Sequence, residues 1–205
     1  MSGGEPAPPP FESADAKRAN LVLVLAFAWL WLLPLLFFWG AAWGPFRPHG
    51  YPPIDVAPSG VAFLAALAVC FLPVLLPTAY FRPWEGPNAA RAYEALGVRT
   101  FKRCATNGDL VNRFLRRRNP GHRVIRDVRS ALAWAEQARS AERHHLVFLL
   151  MGLFSAGFAL SIGWRGWAAT LAASNVVFNV YPILLQRYNR LRIARVNVTR
   201  QKRRP

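Results

Sequence analysis

The sequence predicts an all-α, polytopic membrane protein: four transmembrane helices with a basic, partly helical cytoplasmic segment between helices two and three. Three observations predict it. Four stretches of about 20 residues carry no charge, the length a helix needs to cross the hydrocarbon of a bilayer. The 205 residues combine 53% hydrophobic content with a net charge of +16, which is consistent only if apolar and basic residues are segregated along the chain. The segregation also alternates. Residues 82–145 hold 14 Lys/Arg against 6 Asp/Glu and the tail from Gln186 holds 8 against none, whereas the other two connections have one Arg each, Arg47 and Arg165. The positive-inside rule then places both termini and the central segment in the cytoplasm.

Residues 1–20 are Gly/Pro-rich at the start, with too few large apolar side chains to build a core, and read as a disordered lead-in. The first span, 21–43, outlasts a signal-peptide core, has no clear small-x-small cleavage site after it, and carries Pro34 as a possible kink point. A Pro-rich connection leads to the second span, 61–81, which contains Pro73 and Pro77. In the central segment, residues 88–96 suit a helix capped by Gly97. Arg116, Arg117 and Arg118 precede an Asn119-Pro120-Gly121 turn, and a helical pattern from about 124 to 143 runs into the third span, 146–164. Arg165 alone separates that span from the fourth, 166–185, which requires a tight turn and a helical hairpin. Residues 21–192 thus form one integral membrane domain and 193–205 a basic tail. Cys70 and Cys104 supply neither a disulfide framework nor metal spacing. Despite a pI near 11.5, the uncharged runs make an anionic membrane surface, and not nucleic acid, the partner of the basic segments.

The fourth span is unusual in carrying amides. Asn175, Asn179, Pro182, Gln186 and Asn189 recur at helical spacing and so share one face. That face must meet protein, water or ligand, because an unpaired amide in hydrocarbon costs several kcal/mol. It leads into Gln186-Arg187-Tyr188-Asn189-Arg190-Leu191-Arg192 at the membrane surface. Tyr80 to Glu85, Glu142 to His145 and Gln186 to Arg192 are three polar clusters at span ends, and an even number of spans puts them on one side of the membrane.

Glu142 and His145 are three apart on one helix, so they share a face. A His positioned by a carboxylate is suited to take a proton from a hydroxyl. The same residues also suit an ordinary interfacial belt, and a metal site needs more ligands than one Glu-x-x-His supplies. His122 and Asp127 match the His-x4-Asp spacing of glycerolipid acyltransferases, a pattern that a polar loop residue also produces by chance. Lys102 and Arg187 are candidates to hold the phosphates of an acyl-thioester donor, against the simpler reading of the basic residues as lipid-headgroup contacts.

The run Asn179-Val180-Tyr181-Pro182-Ile183-Leu184-Leu185-Gln186-Arg187-Tyr188-Asn189-Arg190 resembles the signature of the glycosyl-4,4'-diaponeurosporenoate acyltransferase family, integral membrane enzymes of staphyloxanthin-type carotenoid biosynthesis. Phe81-Arg82-Pro83-Trp84-Glu85, Tyr93 to Val98, Phe101-Lys102 and Ala141 to His145 are similar to further blocks of that family. The resemblance covers roughly Tyr80 to Arg192. It implies transfer of a long-chain acyl group onto a sugar hydroxyl of a glycosylated carotenoid or similar glycolipid in a bacterial inner membrane. It implies no cofactor beyond an acyl-thioester co-substrate, and lipid substrates as partners. Glu142, His145 and His122 are the catalytic candidates. Arg82, Trp84, Glu85, Lys102, Asn179, Gln186, Arg187, Tyr188, Asn189 and Arg190 are the substrate-binding ones. The alternative is a non-catalytic membrane protein that binds lipid or scaffolds a biosynthetic enzyme.

Overall fold

The computed structural model describes residues 14–44, 59–85, 89–106, 108–118, 120–121, 125 and 127–201, and every regular element among them is helical. Helix α1 runs Ala14–Ala42, unbroken through Pro34, and α2 runs Gly60–Cys70. Two 3-10 turns follow, Leu72–Leu75 and Thr78–Glu85. The central segment holds α3 (Ala89–Ala95), α4 (Val98–Cys104) and α5 (Asp109–Arg118). Then come α6 (Val128–Ser161), α7 (Arg165–Asn175), a π-helical turn Val176–Val180, and α8 (Tyr181–Gln201). Residues 1–13 of the expected lead-in lie outside the described residues, and the chain is already helical at Ala14.

Among the described residues three helical stretches are long and apolar enough to cross a membrane: Asn20–Ala42, Val128–Ser161 and Arg165–Arg195. Four were expected, and the second expected span is the one that differs. Its apolar helical part, Gly60–Leu75, is too short, because α2 stops at Cys70 and the chain tightens to 3-10 spacing. Pro73 and Pro77 have no N–H to donate and crowd the turn before them. The Leu76 and Tyr80 N–H groups instead reach back three residues, to the carbonyls of Pro73 (3.2 Å) and Pro77 (3.0 Å). The membrane reading of α1 is supported by its surface, where Leu21, Leu25, Trp29, Leu36 and Phe37 are all exposed on a helix without charge from Asn20 onward.

The ends of the other helices follow from their caps. Gly97, at φ +76°, closes α3 and opens α4, as its lack of a Cβ allows. At the start of α6 the Ser130 N–H donates to the Asp127 carboxylate (2.7 Å), and the Asp127 N–H donates to the Ser130 hydroxyl (3.0 Å). This reciprocal capping box lets α6 begin in the basic segment and run unbroken to Ser161, as the sequence pattern predicts. At its other end the Trp164 N–H reaches the Ala159 carbonyl (2.8 Å) and that of Gly163 reaches Leu160 (3.1 Å), with Gly163 at φ +79°. This is a Schellman ending, and the chain starts α7 at the very next position, Arg165: the expected hairpin turn.

The chain divides into two compact units. Unit 1 takes residues 1–25, 81–140 and 184–205. Its apolar contacts join Tyr93, Val98 and Ala105 to Leu185, Tyr188 and Leu191, Leu23 to Val111 and Leu115, and Ile193 to Ala131 and Ala135. The start of α1, the central segment and the end of α8 are therefore packed together. Unit 2 takes residues 26–80 and 141–183 and is built on aromatics. Fully buried Phe38 sits edge-on to Trp164 (6.1 Å), and Trp39 stacks on Phe158 (5.3 Å) and Phe154 (5.8 Å). The Trp39 indole donates to Ser155 (3.0 Å), whose hydroxyl donates to the Met151 carbonyl (2.8 Å), so the polar groups of these two side chains are paired.

Candidate functional site

In unit 2 the polar chemistry gathers at the π-helical turn. Pro182 has no N–H, so the Phe178 carbonyl lacks the donor it would take in an α-helix, and the Tyr181 N–H reaches five residues back, to Val176. A π-turn holds one extra residue, and the consequence is visible in what is buried beyond it. The expected polar face continued through Pro182, Gln186 and Asn189, which are only half-buried. The buried residues beyond Asn179 are Ile183, Leu185, Arg187, Tyr188, Arg190, Leu191 and Ile193, among which Ile183, Arg187 and Arg190 stand one position past the expected face. The two asparagines of the expected stripe are thus buried, and its remaining members are half-buried.

Asn175 and Asn179 are 2% and 1% exposed, and their amides meet at 2.6 Å. Asn175 donates to the Leu149 carbonyl on α6 (2.9 Å). Gly152, on the same helix, makes this possible, since a Cβ there would stand 2.6 Å from the Asn175 amide. The Asn179 amide also lies 2.8 Å from the Trp31 indole nitrogen and 3.0 Å from the Phe178 carbonyl, with either of its two orientations satisfying a different pair of these neighbours. His145 completes the network. Its Nδ1 is 3.3 Å from Oδ1 of Asn179, and the ring also meets the Phe178 carbonyl that Pro182 leaves open. Which ring nitrogen carries hydrogen follows the Asn179 amide: Oδ1 turned to Nδ1 calls for hydrogen there and leaves the lone pair on Nε2, and the flipped amide does the reverse. Glu142 lies one turn before His145 and is fully buried. Between them in sequence, Arg143 donates through Nε (3.3 Å) and Nη2 (3.1 Å) to the Leu76 carbonyl, at the proline break after α2.

In unit 1 the Tyr188 hydroxyl donates to Glu94 (3.0 Å) and accepts from Arg99 (3.4 Å), while Arg99 pairs with Glu94 at 3.3 Å. The Tyr188 hydroxyl, and then the Glu94 charge, raise the Arg99 guanidinium above its ordinary value, so it is a permanent cation. Lys102 pairs with Asp109 at 3.2 Å. Arg187 and Arg190 are buried, and the Arg190 guanidinium lies 5.3 Å from the Phe81 ring centre. Gln186 and Asn189 are half-buried.

Of the residues singled out from sequence, the structure brings His145 and Asn179 into contact in unit 2, and sets Lys102 and Tyr188 around one cleft in unit 1. His122 and the side chains of Arg82, Trp84 and Glu85 lie outside the described residues. Asp127, the other half of the His-x4-Asp match, spends its carboxylate on capping α6. The sequence alone gives no site role to Trp31, Gly152, Glu94 or Arg99. Trp31 and Gly152 carry no polar pattern at all, and Glu94 and Arg99 find their partner about 90 positions away, where no local spacing points.

Residues 77–199 match the family model described as glycosyl-4,4'-diaponeurosporenoate acyltransferase. The match begins at the proline break and includes every candidate residue above except Trp31. No curated protein and no solved structure matches the chain.

Proposed function

The chain belongs to the glycosyl-4,4'-diaponeurosporenoate acyltransferase family, and on that premise we propose that it transfers a long-chain acyl group from a thioester onto a sugar hydroxyl of a glycosylated carotenoid or similar membrane glycolipid. In the reaction the sugar oxygen attacks the thioester carbonyl, its proton passes to a base, the carbon–sulfur bond breaks, and the thiolate takes up the proton. His145 is the base in this reading, with Nε2 receiving the proton when Asn179 turns its Oδ1 to Nδ1. The observation that carries it is the fixed imidazole: Asn179 holds the ring from the Nδ1 side, so the lone pair is aimed by the protein instead of by solvent. Such an imidazole inside a membrane helix is also a costly group to keep unless it is used. Glu142, one helical turn before His145 on the same helix, is assigned to accept a hydrogen bond from the sugar. Both termini and the central segment face the cytoplasm in this proposal, in keeping with the packing of the start of α1, the central segment and the end of α8 into one unit.

The test is acyl transfer in membranes supplied with a glycosylated carotenoid and an acyl thioester, followed by extraction and mass measurement of the products. His145→Ala is expected to lower the rate by roughly 10² or more, the contribution of a positioned base. Full transfer by that variant removes His145 from the role. Absence of any acylated product with the wild-type chain, under conditions where it is folded, favours a lipid-binding scaffold.

A further inference from the structure

Arg99, Lys102, Arg103 and Arg192, with Asp109 and Tyr188, line an open cleft of about 240 Å³ in unit 1. Four cations face one carboxylate there. Asp109 holds Lys102 and Glu94 holds Arg99, which fixes these two in place, whereas among the described residues neither Arg103 nor Arg192 has a carboxylate partner. Arg192 instead lies with its guanidinium 5.9 Å from the centre of the Tyr188 ring. Like charges gathered at a concave surface repel one another, and an anion seated among them relieves that repulsion and strengthens every contact. The walls are held closely. Gly108, between α4 and α5, sits where a Cβ would overlap the Lys102 and Ala105 carbonyl oxygens, so these two helices approach more closely there than any side chain permits. No aliphatic side chain lines the cleft, so it suits the charged, hydrophilic part of a molecule and not its acyl chain.

Resting on the acyl-transfer reading above, we infer that this cleft binds the phosphates of the acyl donor, and that the donor is a coenzyme A thioester. Planar guanidinium groups match phosphate oxygens in pairs, and a carrier with several phosphates matches a cleft of four cations, two of them without a carboxylate partner among the described residues, better than a single headgroup phosphate does. The shared chemistry is phosphate, and an anionic lipid headgroup is the competing source.

The experiment measures binding and needs no turnover, so it is independent of whether acyl transfer is observed. Full-length protein in phosphatidylcholine nanodiscs is titrated with coenzyme A itself, which carries no acyl chain to partition into lipid. Saturable binding is expected, weakened by added salt, and weakened roughly tenfold or more by Arg103→Gln combined with Arg192→Gln. Both positions are solvent-exposed, so the variant is expected to keep its fold, which a thermal melt checks. Lys102→Gln gives a second reading at the same cleft. The inference is overturned if wild-type protein does not bind coenzyme A, or if the double variant binds it equally well. It is also overturned if coenzyme A fails to bind while phosphatidylglycerol, mixed into the nanodiscs, is enriched around the wild-type chain and not around the variant, which makes the cleft a lipid-headgroup seat. Coenzyme A binding without acyl transfer leaves the cleft assigned and sinks the functional reading; acyl transfer without coenzyme A binding does the reverse.

Discussion

Asn179 is where the polar contacts of unit 2 converge, with Asn175, Trp31, His145 and the Phe178 carbonyl all within 3.3 Å of its amide. A hydrogen bond between buried side chains in a membrane is worth on average only about 0.6 kcal/mol, because the separated partners also find acceptors. The larger penalty comes from leaving partners behind, so Asn179→Leu is expected to cost about 1–3 kcal/mol of stability. It is also expected to lower acyl transfer by roughly tenfold or more, since the imidazole loses its anchor. A melting curve and a rate on the same sample separate the two effects; an unchanged rate would show that the ring is held by other contacts. Gly152→Ala acts on the same network from the opposite side, because the added methyl meets the Asn175 amide at 2.6 Å. A drop in rate of the same direction as for Asn179→Leu is expected. Wild-type kinetics in Gly152→Ala would show that the Asn175 amide is free to move aside.

At the scale of elements, Pro182 and Asp127 set features that short windows of sequence only half reveal. Pro182→Ala returns an N–H opposite the Phe178 carbonyl and allows the π-turn to close to a regular α-helix. Removing one residue from the turn rotates everything after it, so Gln186 and Asn189 are expected to become less accessible and Arg187 and Arg190 more so. Cysteine substitutions at positions 186 and 187 with a thiol reagent read this out. Asp127 makes a pH-dependent end for α6. Hydrogen bonds from the Ser130 backbone and then its hydroxyl hold the Asp127 carboxyl below its ordinary range. The cap is therefore fully present above the ordinary carboxylate range and is lost as pH falls through the lowered value. Hydrogen exchange of the first-turn amides of α6 is expected to accelerate, beyond the intrinsic rate, on acidification through and below the ordinary carboxylate range. Asp127→Asn, which keeps an accepting oxygen, is expected to remove that pH dependence while retaining most of the protection. Identical pH profiles in the two proteins would contradict this account.

For the molecule as a whole, the two native cysteines report topology. Cys104 is exposed in unit 1 and Cys70 is buried in unit 2. With the central segment in the cytoplasm, a membrane-impermeant maleimide is expected to label Cys104 in inside-out vesicles and not in intact cells, with Cys70 silent in both. Labelling in intact cells would reverse the orientation proposed from the basic residues. Among the described residues three helices reach spanning length and the expected fourth is not confirmed, whereas the start of α1, the central segment and the end of α8 pack in one unit, so the labelling tests their common side independently of the span count.

Much of this was legible in the chain. Uncharged runs announced α1, the apolar half of α6, and α7, because hydrocarbon excludes charge whatever the surroundings. Gly97, Arg165 and the continuous pattern into the third span marked boundaries through backbone geometry that is itself local. Asn175 and Asn179 were legible for the same reason, as amides that hydrocarbon does not tolerate unpaired. What only the tertiary structure decided was which groups answer them. Pro182 is a member of a stripe in the sequence, yet which group takes the carbonyl it leaves open, the His145 ring, depends on what packs alongside. Trp31, Gly152, and the Glu94–Tyr188–Arg99 contacts join positions far apart along the chain, and such pairs are chosen by packing, which no periodicity within a helix encodes.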